Sequence, residues 1–208
     1  MKQGWLIAFE GIDGAGKTTQ VKLLAAALGE GDRTVVTTRE PTDGPHGAKI
    51  RSLSSRGVPT TPEEELECFV EDRREHVRDL IAPALARGEV VITDRYYLSN
   101  VAYQGARGLS PQAILEHNEA LFPAPSAAVL LETSPDLGLG RVRARGEAIN
   151  RTYEKEDFLD RVAAIYAAIE RPYLVRVAAH GPPEEVHRAV LDALAPLLGT
   201  RGASRGPG

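Results

Sequence analysis

The run WLIAFEGIDGAGKTT, Trp5 to Thr19, decides how the rest of the chain is read. Trp5 to Glu10 is a short, nearly continuous apolar run, the pattern of a strand buried on both faces. Gly11, Gly14 and Gly16 follow at once and turn the chain sharply. From Lys17 to Leu28 the pattern becomes helical. The segment matches G-x-x-x-x-G-K-[ST], with Gly11, Gly16, Lys17 and Thr18 in the specified positions. Such a loop lets backbone N–H groups converge on anionic oxygens, and the helix behind it adds its N-terminal partial charge. The loop from Gly11 through Gly14, Ala15 and Gly16 to Thr19 is therefore expected to cradle a nucleoside triphosphate. Lys17 would reach the β- and γ-phosphates, and Thr18 would ligate Mg²⁺.

Outward from that loop, strand-like and helical patterns alternate. TVVTT (34–38), EVVITD (89–94) and AAVLLE (127–132) read as buried strands, and YLVRVAA (173–179) as a weaker fifth. Helical patterns run from Lys17 to Leu28, from Pro62 onward, from Pro135 to Arg145, from Lys155 to Arg171 and from Pro183 to Leu198. Alternation of this kind predicts an α/β fold, a parallel sheet with helices on both sides. The helix from Pro62 has a marked start: Thr61 as cap, proline in the first position, and Glu63, Glu64 and Glu65 at the positive end of the dipole. Pro83 is expected to kink or shorten its last turn. One domain over residues 1–198 is expected, and the Gly-rich residues 199–208 are expected to form a disordered tail.

The bulk composition narrows the class. With 208 residues, 42% hydrophobic and 26% charged, the chain can build a sizeable core. A net charge of -4 argues against a nucleic-acid partner. No apolar run reaches membrane-span length, and the N-terminus does not read as a signal peptide. A single cysteine, Cys68, rules out an intrachain disulfide. The expected setting is the cytoplasm.

In an open α/β sheet, ligands bind beyond the carboxyl ends of the strands. Arg39-Glu40, Asp94-Arg95 and Glu132 end three of the apolar runs, so these groups are expected to converge with the glycine loop on one cleft. Arginines at that edge suit a second anion, because a guanidinium binds phosphate in a fork. Asp94 has two readings: a carboxylate holding Mg²⁺ through water, or one tying the glycine loop in place. Arg73 falls within the apolar stripe of its helix, four residues after Phe69. The pair could stack on and hydrogen-bond a planar base; the alternative is a core Phe with an Arg paired to a carboxylate. A third cluster, GRVRARGEAINR, sets Arg141 and Arg145 on one helix face, with Arg151 after a short loop. This suits a short Arg-rich lid, over about 142–154, closing on phosphates; the alternative is a solvated basic helix end, satisfied by the dipole and by Glu147 or Glu154.

On these segments the chain resembles the thymidylate kinases, a family of P-loop nucleoside-monophosphate kinases. The segments are FEGIDGAGKTTQ, TREP, FVEDRREHV, PALARGEVVITDRY, SNVAYQGARGL and GLGRVRARGE, in order over most of the chain. The resemblance implies a three-layer P-loop NTPase fold with a five-stranded parallel sheet, and a homodimer. It implies transfer of the γ-phosphate of ATP to dTMP, giving dTDP. By position it places Arg39 and Arg95 on the dTMP phosphate, Phe69 on thymine, Arg73 on the base O4 edge and Asn100 against the base. Tyr103 would lie near C2′, and Asp13 would meet the 3′-OH or the phosphate–Mg²⁺ network. Arg145 and Arg151 would be catalytic, with Arg141 nearer the ATP base. Some members carry a catalytic arginine just after the loop acid, where this chain has Gly14. TREPTDGPHG stands where TREPGGT is common, Asn150-Arg151 where Asp-Arg is frequent, and Glu132-Thr133 where Asp is common. Alternative readings are a kinase of the same fold with another acceptor, a nucleotide-hydrolysing switch, or a scaffold that only binds nucleotide.

Overall fold

The computed structural model describes residues 3–31, 33–56, 60–144 and 156–199. Five strands form one parallel sheet: β1 (Trp5–Glu10), β2 (Val35–Arg39), β3 (Val90–Asp94), β4 (Ala127–Glu132) and β5 (Leu174–Ala178), in the order β2-β3-β1-β4-β5. The four longer apolar runs and the weaker fifth are all strands, and the fifth is an edge. β1 lies in the middle and is buried along its whole length. Parallel strands covered on both faces need apolar side chains on both faces, which is why these runs do not alternate.

Nine helices lie among the described residues. They are α1 (Lys17–Gly29), α2 (Pro45–Arg56), α3 (Pro62–His76), α4 (Ala82–Ala86), α5 (Tyr97–Ala106), α6 (Pro111–Leu121), α7 (Pro135–Ala144), α8 (Glu156–Ala168) and α9 (Pro183–Gly199). The start of α3 is as read from the sequence. Thr61 Oγ1 accepts the Glu64 N–H at 3.1 Å, and the Glu64 carboxylate accepts the Thr61 N–H at 3.1 Å, a reciprocal cap worth about 1 kcal/mol. Pro83 does not end the helix. A wide π turn, Val77–Ile81, intervenes, in which the Ala82 N–H reaches back to the Val77 carbonyl. Proline has no N–H to give, and the widened turn shifts the ladder so that α4 continues.

The sequence analysis placed no helix at α2, α5 or α6. α5 does not follow the solvent-facing pattern of a surface helix, because every residue from Tyr97 to Gln104 is buried, the polar Ser99, Asn100 and Gln104 included. It is packed among α3, α6 and α8. α2 opens inside TDGPHG, a string of turn-forming residues, and its apolar content is low. Among the described residues, no helix is long and apolar enough to cross a membrane.

The strand register sets the site. Phe9 pairs with Asp94, and Asp94 with Arg39, so the carboxyl ends of β1, β3 and β2 stand level. The turn from β1 into α1 sits on that edge, with Gly16 in the left-handed region at φ 97° as the last residue before α1.

Candidate active site

A cleft of about 720 Å³ opens at this edge. Its wall includes Asp13, Gly14, Gly16, Lys17, Thr18 and Thr19 from the loop, Arg39 and Glu40 at the end of β2, and Asp94 and Arg95 at the end of β3. Glu132 does not join them. β4 lies on the far side of β1, and Glu132 pairs with Arg176 of the neighbouring β5 at 2.8 Å.

Lys17 is buried, and its Nζ donates to the carbonyls of Gly11 and Ile12 at 3.0 and 2.9 Å. Burial, with Arg95 nearby, pushes its pKa down to about 8, although Asp13, Asp94 and Glu10 pull the other way. A triphosphate entering the loop would restore the favour for the ammonium. Thr18 Oγ1 donates to Asp94 Oδ2 at 2.5 Å. Asp94 therefore does tie the loop, and the same two oxygens stand together as hard donors of the kind Mg²⁺ takes.

Arg95 is the centre of a second cluster. Its Nη2 donates to Asp13 Oδ1 at 2.5 Å and to Tyr103 OH at 3.4 Å; its Nη1 donates to Ser99 Oγ at 3.0 Å and to the Gly11 carbonyl at 3.3 Å. Burial disfavours the Asp13 carboxylate, but Arg95 and Lys17 outweigh it and hold its pKa below the usual range. Tyr103 OH donates to Asp13 Oδ2 at 3.2 Å, which completes a ring linking loop, β3 and α5. Arg95 is also the one non-glycine residue with positive φ, 74°, among the described residues. A backbone held there is strained and must be fixed by its surroundings.

Arg39 lies on the same cleft but is exposed and paired with Asp43 at 2.7 Å. Asp43 belongs to the TDGPHG stretch, which folds as the approach to α2. Thr42 anchors that approach by bonding Asp72 through both its N–H (2.8 Å) and its hydroxyl (2.6 Å). His46 faces Glu75 at 3.8 Å and does not line the cleft.

Arg73 takes the second of its two sequence readings as far as its own contacts go. It is 1% exposed, with Nε and Nη2 on Glu40 Oε2 at 2.9 and 2.5 Å and Nη1 on Asn118 Oδ1 at 2.7 Å. His76 Nδ1 meets the other Glu40 oxygen at 3.0 Å. Burial disfavours the Glu40 carboxylate, yet Arg73 and His76 keep its pKa below the usual range. Replacing Arg73 by alanine is expected to cost about 3–5 kcal/mol, because it leaves Glu40 buried with its main counter-charge gone. Urea unfolding measures this; a loss under about 1 kcal/mol would show the pair is not an anchor. Phe69 is half-buried rather than part of the core.

Asn100 is buried beside this region. Its Nδ2 donates to Gln104 at 3.0 Å, while its Oδ1 is buried with no hydrogen-bond partner among the described residues. An orphaned buried acceptor is costly and calls for an explanation. Phe69, Arg73, Asn100 and Tyr103 do not line the loop cleft itself. They belong to α3 and α5, reached from the loop through Asp13, Arg95 and Tyr103.

On the other flank, Arg141 of α7 donates to Gly14 O at 3.4 Å and to the carbonyls of Ala179, His180 and Gly181 beyond β5. The loop and α7 meet through glycines. A Cβ on Gly14 would lie 2.0 Å from the Gly138 carbonyl oxygen, and Gly14 has φ 79°. No arginine fits at Gly14 while α7 stays there. Arg145, Arg151 and most of the expected lid lie outside the described residues, as does the tail from residue 200.

Sequence reasoning missed the buried polar residues behind the arginines: Glu10, Ser99, Gln104, Asn118 and Tyr166. The one available signal was Glu10, a charge closing an apolar run directly before the glycine loop.

A family model described as thymidylate kinase matches residues 9–190. The thymidylate kinase of Xanthomonas euvesicatoria pv. vesicatoria is 47% identical over 199 residues, covering 94% of this chain and 87% of that protein. That of Desulfotalea psychrophila is 43% identical over 196 residues, covering 94% and 96%. Among solved structures, thymidylate kinase from Ehrlichia chaffeensis is similar with a TM-score of 0.75 and 28% identity, over 92% of this chain and 99% of that one.

Proposed function

This chain belongs to the thymidylate kinase family, and from that premise we propose that it transfers the γ-phosphate of ATP to dTMP, giving ADP and dTDP. The observation that carries the reading is the pairing of two cationic groups on one edge. The triphosphate loop with Lys17 stands next to Arg95, and Asp13 of that same loop holds the Arg95 guanidinium at 2.5 Å.

In this reading the triphosphate lies along the Gly11–Thr19 loop, its charge met by backbone N–H groups and by Lys17. Thr18 and Asp94 would hold Mg²⁺, which neutralises charge on the phosphate oxygens when bound. Arg95 and Arg39 receive the dTMP phosphate; for Arg39 this means exchanging Asp43 for the substrate. Asp13 and Tyr103, already joined, orient the sugar side. The nucleoside base fits between α3 and α5. Phe69 supplies a face there, and the orphaned Asn100 Oδ1 gains the donor it lacks. Arg73 spends three of its five N–H groups on Glu40 and Asn118, which leaves two for a base.

The attacking atom is an oxygen of the monophosphate, already ionised near neutral pH, so no general base is needed. Rate comes from aligning two anions and neutralising their repulsion. Arg145 and Arg151 are assigned to that task from the lid, and Arg141 to the donor side. Family membership also supports a homodimer acting in the cytoplasm.

A coupled ADP-release assay with ATP and Mg²⁺, offering dTMP, dUMP, dCMP, dGMP, AMP and thymidine in parallel, tests the reading. Strong turnover with dTMP alone is the expected result. Equal turnover with another acceptor would overturn the acceptor assignment, and slow hydrolysis unstimulated by any of them would overturn the kinase reading.

A further inference from the structure

Glu10 ends β1 as a fully buried carboxylate that the chemistry above does not use. Its Oε1 accepts the Tyr96 N–H at 3.0 Å. Its Oε2 accepts the Ser99 hydroxyl at 2.6 Å and the Tyr166 hydroxyl at 3.1 Å. Ser99 Oγ in turn accepts from Arg95 Nη1 at 3.0 Å. Arg95 is thus held at two points by one carboxylate. The peptide that follows it is fixed through Tyr96, and its guanidinium is fixed through Ser99. Both matter because Arg95 sits at φ 74°, a conformation it would leave without external restraint.

We propose that Glu10 is the positioning residue for Arg95: its carboxylate locks the left-handed turn and, through Ser99, aims the guanidinium at the acceptor phosphate. This rests on the reading of Arg95 as the acceptor-phosphate group.

The ionised form is the one that does this. A carboxylate accepts from all three donors, Tyr96 N–H, Ser99 O–H and Tyr166 O–H. The amide of glutamine has one accepting oxygen and turns its NH2 on a donor, so it cannot serve all three in place, and a neutral carboxyl accepts more weakly and brings an O–H that none of the three donors needs. Burial drives the pKa of Glu10 up to about 7, against the opposing pull of Ser99, Arg95, the Tyr96 N–H and Tyr166. The charged and titratable groups facing it are Lys17, Arg95, Tyr97 and Tyr166, with Asp13 and Tyr103 beyond Arg95. The tyrosine and Arg95 pKa values are raised and that of Asp13 is lowered, so these groups keep one charge state near neutrality. Lys17 changes on the alkaline side, at about 8. On the acid side of 7, Glu10 is the member of this set that titrates.

The sign has two parts. A carboxyl whose folded pKa lies above its unfolded value binds more protons in the folded state, so its contribution to stability falls as pH rises through about 7. Its grip on Arg95 strengthens over the same interval. Fold stability and acceptor affinity should therefore move in opposite directions with pH, which a purely structural residue would not produce.

The test is steady-state kinetics of the full chain, with KM for dTMP, KM for ATP and kcat followed over about pH 5.5–9 for wild type, Glu10→Gln and Ser99→Ala. In Glu10→Gln, KM for dTMP at about pH 8 is expected to rise about tenfold, with KM for ATP changed less than about twofold. Its acid limb should shrink to the titration of the dTMP phosphate itself, near pH 6, which is common to all three proteins. Ser99→Ala should raise KM for dTMP likewise, and it decides the matter if Glu10→Gln fails to fold. In thermal melts, Glu10→Gln should gain on wild type as pH rises from about 5 to 8. A wild-type KM for dTMP in both variants, or equal losses for ATP and dTMP, overturns the proposal. A wild-type protein inert toward dTMP instead overturns the kinase reading, and this inference with it.

Discussion

Alanine at Arg95 is expected to lower kcat/KM for dTMP by about 10²–10³-fold while leaving ATP affinity within about threefold. The expectation follows from where the guanidinium stands. It is three-quarters or more enclosed, with 17% side-chain exposure, and faces the loop cleft beside Asp13. In such surroundings a charge-assisted bond to phosphate is worth more than at an open surface. Removing it also frees Asp13, whose carboxylate would then face the incoming phosphate without its partner. The triphosphate loop keeps Lys17, Thr18 and its backbone N–H groups, so the donor side should be spared. Titration of an ATP analogue and of dTMP into the variant separates the two. Equal loss of both would remove Arg95 from the acceptor role and make it a brace for the loop.

The second large effect is at Lys17. Alanine there is expected to reduce kcat by about 10²–10³-fold with intact Mg²⁺ and both substrates saturating. Lys17 already has a buried position with two carbonyl partners, so the chain has prepaid the desolvation of one ammonium. Burial, with Arg95 nearby, holds its pKa down to about 8, so the surroundings of Lys17 disfavour that charge. The incoming phosphates relieve this, and the relief grows as charge shifts between donor and acceptor. Lys17→Met, which keeps the stem and drops the charge, should behave as alanine does. Single-turnover measurement of dTDP formation checks it; near-normal rates in Lys17→Met would show that neither the charge nor the bonds to the Gly11 and Ile12 carbonyls are needed for transfer, and would remove Lys17 from the catalytic role.

The elements whose signal lies between near neighbours were legible. The glycine loop, the Thr61 cap and the continuous apolar runs of β1, β3 and β4 depend on residues within about four positions of one another. Their chemistry could be read without knowing what lies opposite. α5 was not legible, because its polar residues Ser99, Asn100 and Gln104 are buried with the rest of Tyr97 to Gln104 and mark no solvent-facing side. α2 was hidden by the turn residues at its start. The placement of Arg39 and Arg95 at one edge followed from the parallel-sheet rule, whereas the exclusion of Glu132 depended on strand order.

The site shows the same division more sharply. Sequence by itself picked out the glycine loop, the family resemblance and the candidate arginines, since each is a matter of residue type and spacing. It could not say which of two readings of Arg73 its contacts favour, because Glu40 lies 33 positions away and Asn118 lies 45. Nor could it connect Glu10 with Tyr166, 156 positions apart, or make Ser99 the bridge between Glu10 and Arg95. Those contacts arise only when the sheet stacks its carboxyl ends level and α5 and α8 close over them. A charged side chain has the same formula exposed or buried; burial decides whether it must find a partner, and the tertiary structure alone decides which partner is there.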